Sequence, residues 1–512
     1  MTPPQRRIVI VAAIAVAATR FLAVARSPWD WDEMLFALAM RHYDVAAHHP
    51  HPPGFPLFIA AGHLFGSLQV VVVLASMAIF PAMFFLCRAL GMTFRTSVLA
   101  SLLLAFFPNV WLYGGTSFSD VPSMVLAILA AALLLRGRGA IAAAIGIGFR
   151  PQNLLMALAP ALRGKARHIV IAILIVAVSY GAAIWLTGPD RYFRALREHQ
   201  QYIAATDSFL SPARPPLWRL ADDFFVRPYR QLVLNVAVAL LALFGLRRKP
   251  WTAIAIFAPF ALFAWLFLDH NSVSRFSIGY MPLIAILAAE GLPRRLDVYI
   301  AAVMIAFTMV WMWPALTVVR TTVAPPVAAM QSIPRDATVY VHKELMPYAD
   351  YVLPSTRRIE VGEAGVPTPW TEQREAFFVV EGGSTFSRPH NALWNIARRR
   401  YFDVTVLPLR TRIDYVSGWG SWDDAARWMA STRAIARLPD VGGDAHFFIS
   451  LHVPRAANVR VTLNGVVIER TRAAGPYLDR ALRVPSRGTN ELVIESDVPL
   501  RLERLEWSRI TA

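Results

Sequence analysis

The sequence has one cysteine, Cys87, among 512 residues, which excludes a disulfide within the chain. Lysine is nearly as scarce, since it occurs only at positions 165, 249 and 343, so arginine carries almost all of the formal net charge of +17. There is no Walker loop, no glycine-rich nucleotide fingerprint and no His/Cys zinc set, so nothing indicates ATP, NAD or structural zinc. No basic run is interleaved with aromatic residues in a polar segment, and we therefore expect no nucleic-acid partner.

Apolar residues, by contrast, are abundant. They make up 56% of the chain, the mean hydropathy is +0.44, and the long apolar stretches lie within roughly the first 320 residues. This pattern is typical of a polytopic α-helical membrane protein. We expect a transmembrane domain at 1–320 and a soluble domain at 321–512, the latter α/β in character and β-rich at its end, 446–512.

About eleven membrane spans are predicted. The first runs from Ile8 to about residue 25 and is expected to be kept, although Ala23-Val24-Ala25 resembles a signal-peptidase site, because Arg20 interrupts the apolar core. The other predicted spans are 68–90, 94–113, 119–135, 169–186, 231–246, 251–268, 276–291 and 297–318, with two short helices in 139–162. Gly146, Gly148, Arg150 and Pro151 place the break between these two short helices.

Basic residues predict the orientation of the chain in the membrane. With this number of spans, every basic cluster between spans falls on the same side as Arg6 and Arg7, which is the expected cytoplasmic side. We therefore expect a multi-pass protein of the cytoplasmic membrane with a cytoplasmic N-terminus. The first loop, 26–67, the long loop 188–230 and the C-terminal domain are then extracytoplasmic.

The C-terminal domain contains short segments with strand patterns and short segments with helix patterns. Residues 338–341 and 377–380 read as strands, and 423–436 reads as a helix. The alternating run 459–463, followed by Asn464-Gly465, predicts a β-hairpin.

The first outer loop holds three acidic residues in four positions: Asp30, Asp32 and Glu33. Carboxylates close to a membrane are costly unless they are hydrated or used, and this marks them as candidates for function. Each could be a general base, a metal ligand or a solvated charge. Asp32 and Glu33 also open an amphipathic helix, where acidic residues favourably meet the helix dipole.

Histidines follow in the same loop. His48, His49 and His51 precede Pro52-Pro53, but their spacing matches no closed zinc site. His51 with Asp32 could hold a divalent cation loosely. The alternative is an ordered loop in which one histidine contacts a phosphate.

Three further residues carry functional hypotheses. Asp120 begins a span and could be a helix cap, a functional group or both. Arg150 lies at the predicted helix break, and Arg275 lies at the outer mouth of a span. Both guanidinium groups suit phosphate oxygens, and the structural alternative for both is snorkelling to lipid headgroups.

These features resemble the integral-membrane glycosyltransferases of the GT-C fold, of the protein mannosyltransferase and aminoarabinose-transferase type. The resemblance covers about residues 1–320. The elements that carry it are Asp32-Glu33 after the first span, His51-Pro52-Pro53 before Phe55-Pro56-Leu57-Phe58, Asp120 in the second outer loop, the broken pair 146–160 and the run from Arg275-Phe276 to Pro282. Aminoarabinose transferases place a lysine before Pro-Pro, whereas this chain has Pro50-His51, and Arg150 replaces the usual lysine of the broken segment.

The resemblance implies an inverting transfer of one sugar from a polyprenyl-phosphate carrier to a lipid, glycan or protein acceptor on the outer membrane face. Asp32 is then the base, and Glu33 supports it. Arg150, Arg275 and His51 are the candidates for binding the donor phosphate, and Asp30, Asp120 and His49 for contacting the acceptor or supporting the site. Some members of the family use a divalent cation, for which Asp32 and His51 are the candidate ligands here.

Two other classes of function stay open. A secondary transporter or lipid-carrier flippase would also place charges near the membrane midplane and break helices, but it would show two repeated halves, and the sequence has no internal repeat. A non-catalytic envelope protein whose C-terminal domain binds glycan is the third reading.

Overall fold

The fold is given by a computed structural model that describes residues 1–161, 165–212, 214–361, 376–386, 404–409, 413–423, 426–441, 443–473, 477–486 and 488–509. Within these ranges the chain forms two compact units. One comprises residues 1–328, and the other comprises the described residues of 329–386 and 404–512. The first unit is helical and the second is rich in strands, which confirms the predicted change of architecture along the chain.

The first unit is built from helices, with a longer loop at residues 40–55. In chain order they are α1 Pro3–Arg20, α2 Trp31–Ala39, α3 Pro56–Phe65, α4 Leu68–Met77, α5 Ile79–Ala89, α6 Phe94–Phe106, α7 Pro108–Tyr113, α8 Asp120–Leu134, α9 Ala140–Phe149, α10 Asn153–Ala161, α11 Ala166–Thr187, α12 Pro189–Tyr202, α13 Leu217–Ala221, α14 Leu232–Leu246, α15 Trp251–Phe267, α16 Val273–Phe276, α17 Met281–Gly291 and α18 Asp297–Thr321. A short helix, α19 Pro325–Gln331, follows at the boundary of the units.

Among the described residues, three helical segments are long and apolar enough to cross a membrane: Ala166–Thr187, His270–Gly291 and Asp297–Gln331. A fourth span results if α3 and α4, which meet at an angle of 95°, are counted as one. Six further apolar helices are 10–17 residues long. The figure of about eleven spans therefore stays a prediction.

Two predicted spans are each divided into two helices. The segment 68–90 forms α4 and α5, which meet at Ala78, and 94–113 forms α6 and α7, which meet at Phe107. The second break follows from Pro108, which has no N–H to continue the hydrogen bonding of α6. The buried Arg20 donates instead to the carbonyl of Ala105 at 2.8 Å, and so fixes α1 against the end of α6.

The predicted break in 139–162 is confirmed: α9 ends at Phe149 and α10 begins at Asn153. Asn153 holds the two helices together, since its amide nitrogen donates to the carbonyls of Gly146 and Ser123. A side chain at Gly146 would place its Cβ 2.9 Å from this amide nitrogen. The predicted outer loop 188–230 contains α12, α13 and two π-helical turns, Ile203–Asp207 and Asp222–Val226.

The second unit holds α20 Met346–Val352 and three sheets. The strands are β1 Thr338–His342, β2 Arg357–Val361, β3 Ala376–Phe386, β4 Val404–Leu409, β5 Asp414–Ser417, β6 Trp419–Asp423, β7 Ala426–Met429, β8 Arg433–Pro439, β9 Asp444–His452, β10 Ala457–Leu463, β11 Val466–Ala473, β12 Tyr477–Pro485, β13 Thr489–Ser496 and β14 Arg501–Arg509. The strand orders are β2-β1-β3-β4, β11-β10-β13-β8-β5 and β12-β9-β14-β7-β6. The first sheet is mixed, because β1 runs parallel to β2 and β3 while β4 is antiparallel to β3.

The two five-stranded sheets share one hydrophobic core. Phe447 and Trp507 of one sheet are buried in the same cluster as Val459 and Ile494 of the other, so these strands form a β-sandwich. The predicted hairpin is confirmed, since Asn464 and Gly465 adopt positive φ between β10 and β11.

The predicted helix over 423–436 is wrong. The described residues of that stretch lie in β6, β7 and β8, apart from a bend at 430–432. Along β8, buried Ala434, Ala436 and Leu438 alternate with more exposed positions, and the strand pairs with β13. Sheet pairing therefore overrides the helical preference of alanine and arginine. The strands of the β-sandwich accordingly begin at Asp414.

Candidate active site

The acidic loop is fixed by the start of α2. Asp30 is the N-cap, and its carboxylate accepts from the backbone N–H of Asp32 at 3.1 Å. Glu33 completes a capping box, since its Oε2 accepts from the N–H groups of Trp29 and Asp30 at 2.7 and 3.2 Å. The other oxygen, Oε1, accepts from the N–H of Ser117 at 2.8 Å. Glu33 is 1% exposed, and it ties the start of α2 to the segment before α8.

Asp32 points in another direction and meets a cation. Its Oδ2 accepts from the guanidinium Nη1 of Arg275, while its Oδ1 lies 4.0 Å from Nδ1 of His51. The side chain of Asp32 is 23% exposed, whereas that of Arg275 is 4% exposed. Asp32 therefore sits at the rim of a buried charged cluster, where another molecule can reach it.

Arg275 links Asp32 to Asp120. Its Nε donates to Oδ2 of Asp120 at 3.1 Å, and its guanidinium carbon lies 4.1 Å from the ring centroid of Phe118 and 5.0 Å from that of Phe276. The segment that carries Arg275 is anchored, because the side-chain amide of Asn109 donates to the carbonyl of Ser274 and the hydroxyl of Ser277, both at 2.9 Å.

Arg150 completes the cluster from the break between α9 and α10. Its Nη1 lies 2.7 Å from Oδ1 of Asp120, and its guanidinium carbon lies 5.7 Å from the ring centroid of Phe276. Asp120, the first residue of α8, thus bridges two arginines with its two oxygens. The sequence positions of these residues are far apart, but α2, α8, α16 and the helix break bring them into one buried network.

The loop of His48 to Gly54 is held in a compact form by its neighbours. Asp44 and His49 exchange two backbone hydrogen bonds, and the peptide bonds His49–Pro50 and Pro52–Pro53 are cis. The hydroxyl of Tyr43 donates to the carbonyl of Gly54 at 2.8 Å, and that of Tyr192 donates to the carbonyl of Pro53 at 2.9 Å. These contacts present the His51 imidazole to Asp32.

Electrostatics leave both groups at the rim without their titratable proton, so that only Asp32 carries a charge. Burial opposes the ionisation of Asp32, but the positive charge of Arg275, with smaller effects of His51 and Arg150, holds the pKa of its carboxyl well below the usual range. Burial lowers the pKa of His51 to about 4, although Asp32 acts in the opposite direction. At neutral pH, Asp32 is therefore ionised and His51 is uncharged.

The structure brings together five of the residues singled out in the sequence: Asp32, Asp120, Arg150, Arg275 and His51. Three others hold the backbone nearby: Glu33 and Asp30 through the capping box, and His49 through its pairing with Asp44. The functional assignments of these three residues stay predictions.

Some residues of the site were not foreseen. His199 of α12 places its ring centroid 6.2 Å from that of His51, and Arg191 of the same helix pairs with Asp44 at 2.6 Å. The sequence did show that the predicted outer loop 188–230 is charged and rich in aromatic residues. This pattern does not indicate which of its side chains face the site. The capping box was readable as Asp30-x-x-Glu33, the pattern of an N-cap followed by an N3 acid.

The same residues are poorly arranged to hold a metal ion. Within the part of the chain that the structure describes, no three His, Cys, Asp or Glu side chains are grouped as a metal site requires. Asp32 and Asp120 are the two carboxylates of the cluster, and both already accept from Arg275.

An apolar groove lies near the cluster. It has a volume of about 330 Å³ and is lined by Leu57, Ile171, Leu174, Ile175, Val178 and Ser179. Leu57 also packs against Gly148, where a Cβ would lie 2.5 Å from its Cδ1, two residues before Arg150. The next residue, Phe58, contacts Phe149, with ring centroids 5.7 Å apart. Leu57 thus joins the groove to α9, the helix that ends just before Arg150.

No protein-family model matches this sequence, and no curated protein matches it. The fold is nevertheless GT-C-like, as expected from the motifs. The similar solved structures include ArnT from Cupriavidus metallidurans in the apo state, with a TM-score of 0.50 and 14% identity over 78% of this chain and 97% of that one.

Two other solved structures align less closely. ArnT bound to undecaprenyl phosphate has a TM-score of 0.49 and 13% identity over 80% of this chain and 98% of that one. The arabinofuranosyltransferase AftD from Mycobacteria has a TM-score of 0.43 and 12% identity over 99% of this chain and 59% of that one. At these identities the comparison establishes the fold alone.

Proposed function

We propose that this protein is an inverting glycosyltransferase that moves a single sugar from a polyprenyl-phosphate carrier to an acceptor on the outer face of the cytoplasmic membrane. The reaction would serve the assembly of cell-envelope glycan, glycolipid or glycoprotein. The observation that carries the proposal is the cluster of Asp32, Asp120, Arg150 and Arg275, which sets a partly exposed carboxylate against two buried guanidinium groups.

The transfer requires a carboxylate beside the acceptor oxygen and positive charge beside the leaving phosphate, and this cluster supplies both. As the acceptor oxygen bonds to the anomeric carbon, its proton passes to Asp32, which acts as the general base. The bond between the anomeric carbon and the phosphate oxygen breaks, and the leaving phosphate keeps the electron pair. Arg150 and Arg275 stabilise its charge, and the neutral His51 can donate a hydrogen bond to it.

Arg275 also affects the strength of the base. Its positive charge lowers the pKa of Asp32, which keeps the carboxylate ionised but makes it a weak base. A donor phosphate that shares the Arg275 guanidinium compensates part of that charge. The pKa of Asp32 then moves back toward its usual range, so that the carboxylate becomes a better proton acceptor once the donor is in place.

The prenyl chain of the donor needs an apolar path beside the phosphate site. The groove lined by Leu57 and α11 offers such a surface close to Arg150. ArnT, whose fold is similar, has been crystallised with undecaprenyl phosphate, which supports a polyprenyl phosphate as the carrier.

The orientation belongs to the same proposal. The distribution of basic residues supports a cytoplasmic N-terminus, and with it an outer location of the first loop and the strand-rich unit. In intact spheroplasts, an external protease should then cleave within the C-terminal half and leave an N-terminal epitope protected. Cleavage of the C-terminal half only after the membranes are permeabilised would indicate the opposite orientation.

The test of the function is transfer by the purified full-length protein from a panel of polyprenyl-phosphate sugars, with mixed lipid, glycan and peptide acceptors. Wild type should consume one donor, and Asp32→Ala should lose about 10²-fold or more of the rate, the usual contribution of a general base. The matched control is Asp190→Asn, an exposed aspartate in the first turn of α12, which should transfer at the wild-type rate. Equal turnover by wild type and Asp32→Ala would remove Asp32 from the mechanism. Movement of the lipid across vesicles without transfer would favour a flippase.

A further inference from the structure

Arg275 occupies the position that a bridging cation would take between two carboxylates. Its Nη1 donates to Oδ2 of Asp32, and its Nε donates to Oδ2 of Asp120 at 3.1 Å. The remaining oxygen of Asp120 lies 2.7 Å from Arg150. Both carboxylates that a divalent cation could use are therefore already bridged by one guanidinium group.

The charges in the cluster are balanced without a metal. In the contacts of the cluster, two carboxylates face two guanidinium groups. A divalent cation between Asp32 and Asp120 would add two positive charges next to two buried arginines, which like-charge repulsion strongly disfavours at such low exposure.

With Arg275 in place, the ligands left for a cation are also too few. Divalent cations such as Mg²⁺ and Mn²⁺ prefer octahedral sites that are rich in oxygen ligands. In the described parts of the chain, no group of three His, Cys, Asp or Glu side chains is placed to hold a metal. The residues of this site therefore do not fit the divalent cation that some members of the resembling family use.

Arg275 is built in as a fixed part of the site. Its guanidinium lies over the Phe118 ring, 4.1 Å from the centroid, and the side chain is 4% exposed. The side-chain amide of Asn109 holds Ser274 and Ser277 on either side of it. Such an arrangement keeps the positive charge in one position, as a coordinated ion would be kept.

We propose that Arg275 replaces a divalent cation: its guanidinium holds the Asp32 and Asp120 carboxylates together and presents the positive charge to the leaving phosphate. Sugar transfer by this protein then needs no metal. The part that concerns the phosphate rests on the proposed function. The part that concerns metal binding does not, and it can be tested on the protein without any donor.

The experiment measures Mn²⁺ binding to purified full-length protein by electron paramagnetic resonance and by the Mn²⁺-dependent shift of the thermal midpoint. Wild type should show neither signal. Arg275→Ala leaves two carboxylates facing each other without their cation, so it should bind Mn²⁺ at least about tenfold more tightly than wild type. Arg275→Lys keeps the positive charge and should not gain binding, and Arg275→Ala with Asp120→Asn should lose what the single variant gained.

Two further arms keep the test decisive. Arg275→Gln is neutral and can still donate to one carboxylate, so it replaces Arg275→Ala if that variant does not fold. Chelator should leave wild-type transfer unchanged if a donor is found, and the binding measurements decide the matter if none is. Specific Mn²⁺ binding by wild type, loss of its transfer with chelator, or no gain of binding in folded Arg275→Ala or Arg275→Gln would overturn the proposal.

Discussion

Asp120 and Arg150 form a buried ion pair, with 2.7 Å between Oδ1 and Nη1, at the point where the first residue of α8 meets the end of α9. The second oxygen of Asp120 pairs with Arg275, so one carboxylate compensates part of the charge of two arginines. Both sides of each pair are 5% exposed or less. Burial of this kind is costly unless every charge keeps its partner.

Replacing Asp120 by asparagine should therefore be strongly destabilising. The amide is nearly the same size but leaves both guanidinium groups short of negative charge, and the expected loss is about 3–5 kcal/mol. The measurement is the unfolding midpoint of the purified protein in detergent.

The control for this substitution is Asp297→Asn. Asp297 is likewise the first residue of its helix, but its partner Arg95 has a side chain that is 55% exposed. Because water can solvate Arg95 once its partner is removed, Asp297→Asn should lower the midpoint less than Asp120→Asn does. Equal shifts for the two variants would mean that the Asp120 bridge adds no stability.

We expect the main role of Glu33 to be the stabilisation of the folded protein. Both of its carboxylate oxygens accept backbone N–H groups, from Trp29, Asp30 and Ser117. Glu33→Gln keeps one acceptor oxygen but turns an amide NH₂ toward backbone N–H groups, which should cost about 1–3 kcal/mol.

Thermal unfolding again measures the effect of the glutamine, with Glu198→Gln as the control, because Glu198 is exposed on α12. Transfer activity measured at low temperature separates the two roles of Glu33. If Glu33→Gln keeps the wild-type midpoint but loses activity, the residue acts in the chemistry rather than in the capping of α2.

Local sequence patterns predicted the parts of the site that depend on near neighbours. The break at Arg150 follows from Gly146, Gly148 and Pro151, which weaken a helix wherever they occur together. The acidic start of α2 and the hairpin at Asn464-Gly465 are of the same kind. In each case the responsible residues lie within a few positions of one another.

Long-range relationships could not be predicted in this way. Arg275 is 155 positions from Asp120 and 243 from Asp32, and nothing in the sequence states that one guanidinium joins both. The helix predicted over 423–436 failed for a related reason. Part of this stretch forms a strand because it pairs with β13, which lies more than 50 residues further along the chain. Its own alanines and arginines do not decide its structure.

Gly54→Ala should destabilise the loop that presents His51. Gly54 has φ +111°, which costs an L-residue roughly 1–2 kcal/mol, and a Cβ there would lie 2.5 Å from the hydroxyl oxygen of Tyr43. The matched control is Gly181→Ala in α11, where a Cβ would meet nothing within 4 Å. There the substitution should stabilise the helix by about 0.5–1 kcal/mol. Unfolding midpoints of the two variants should therefore move in opposite directions, and a wild-type midpoint for Gly54→Ala would contradict the strained loop.

His51 should make the stability of the protein depend on pH. Burial lowers the pKa of its imidazole to about 4, against an ordinary value near 6.5, while Asp32 partly offsets this. Between these two values the unfolded chain takes up a proton that the folded protein excludes. The contribution of the neutral His51 is therefore fully present above about pH 6.5 and is lost as the pH falls toward about 4.

The size of this effect is at most about 3–4 kcal/mol, because a shift of one pKa unit corresponds to about 1.4 kcal/mol. The measurement compares the unfolding midpoints of wild type and His51→Gln from pH 7.5 to pH 4.5. Glutamine cannot titrate, so its curve should fall less steeply than that of wild type between pH 6.5 and 4.5. Since Arg275, His199 and Arg150 all lower the pKa of His51, Arg275→Lys should keep the wild-type slope. Parallel curves for wild type and His51→Gln would show that His51 is solvated in the folded protein. This result would contradict the assignment of a neutral imidazole beside Asp32.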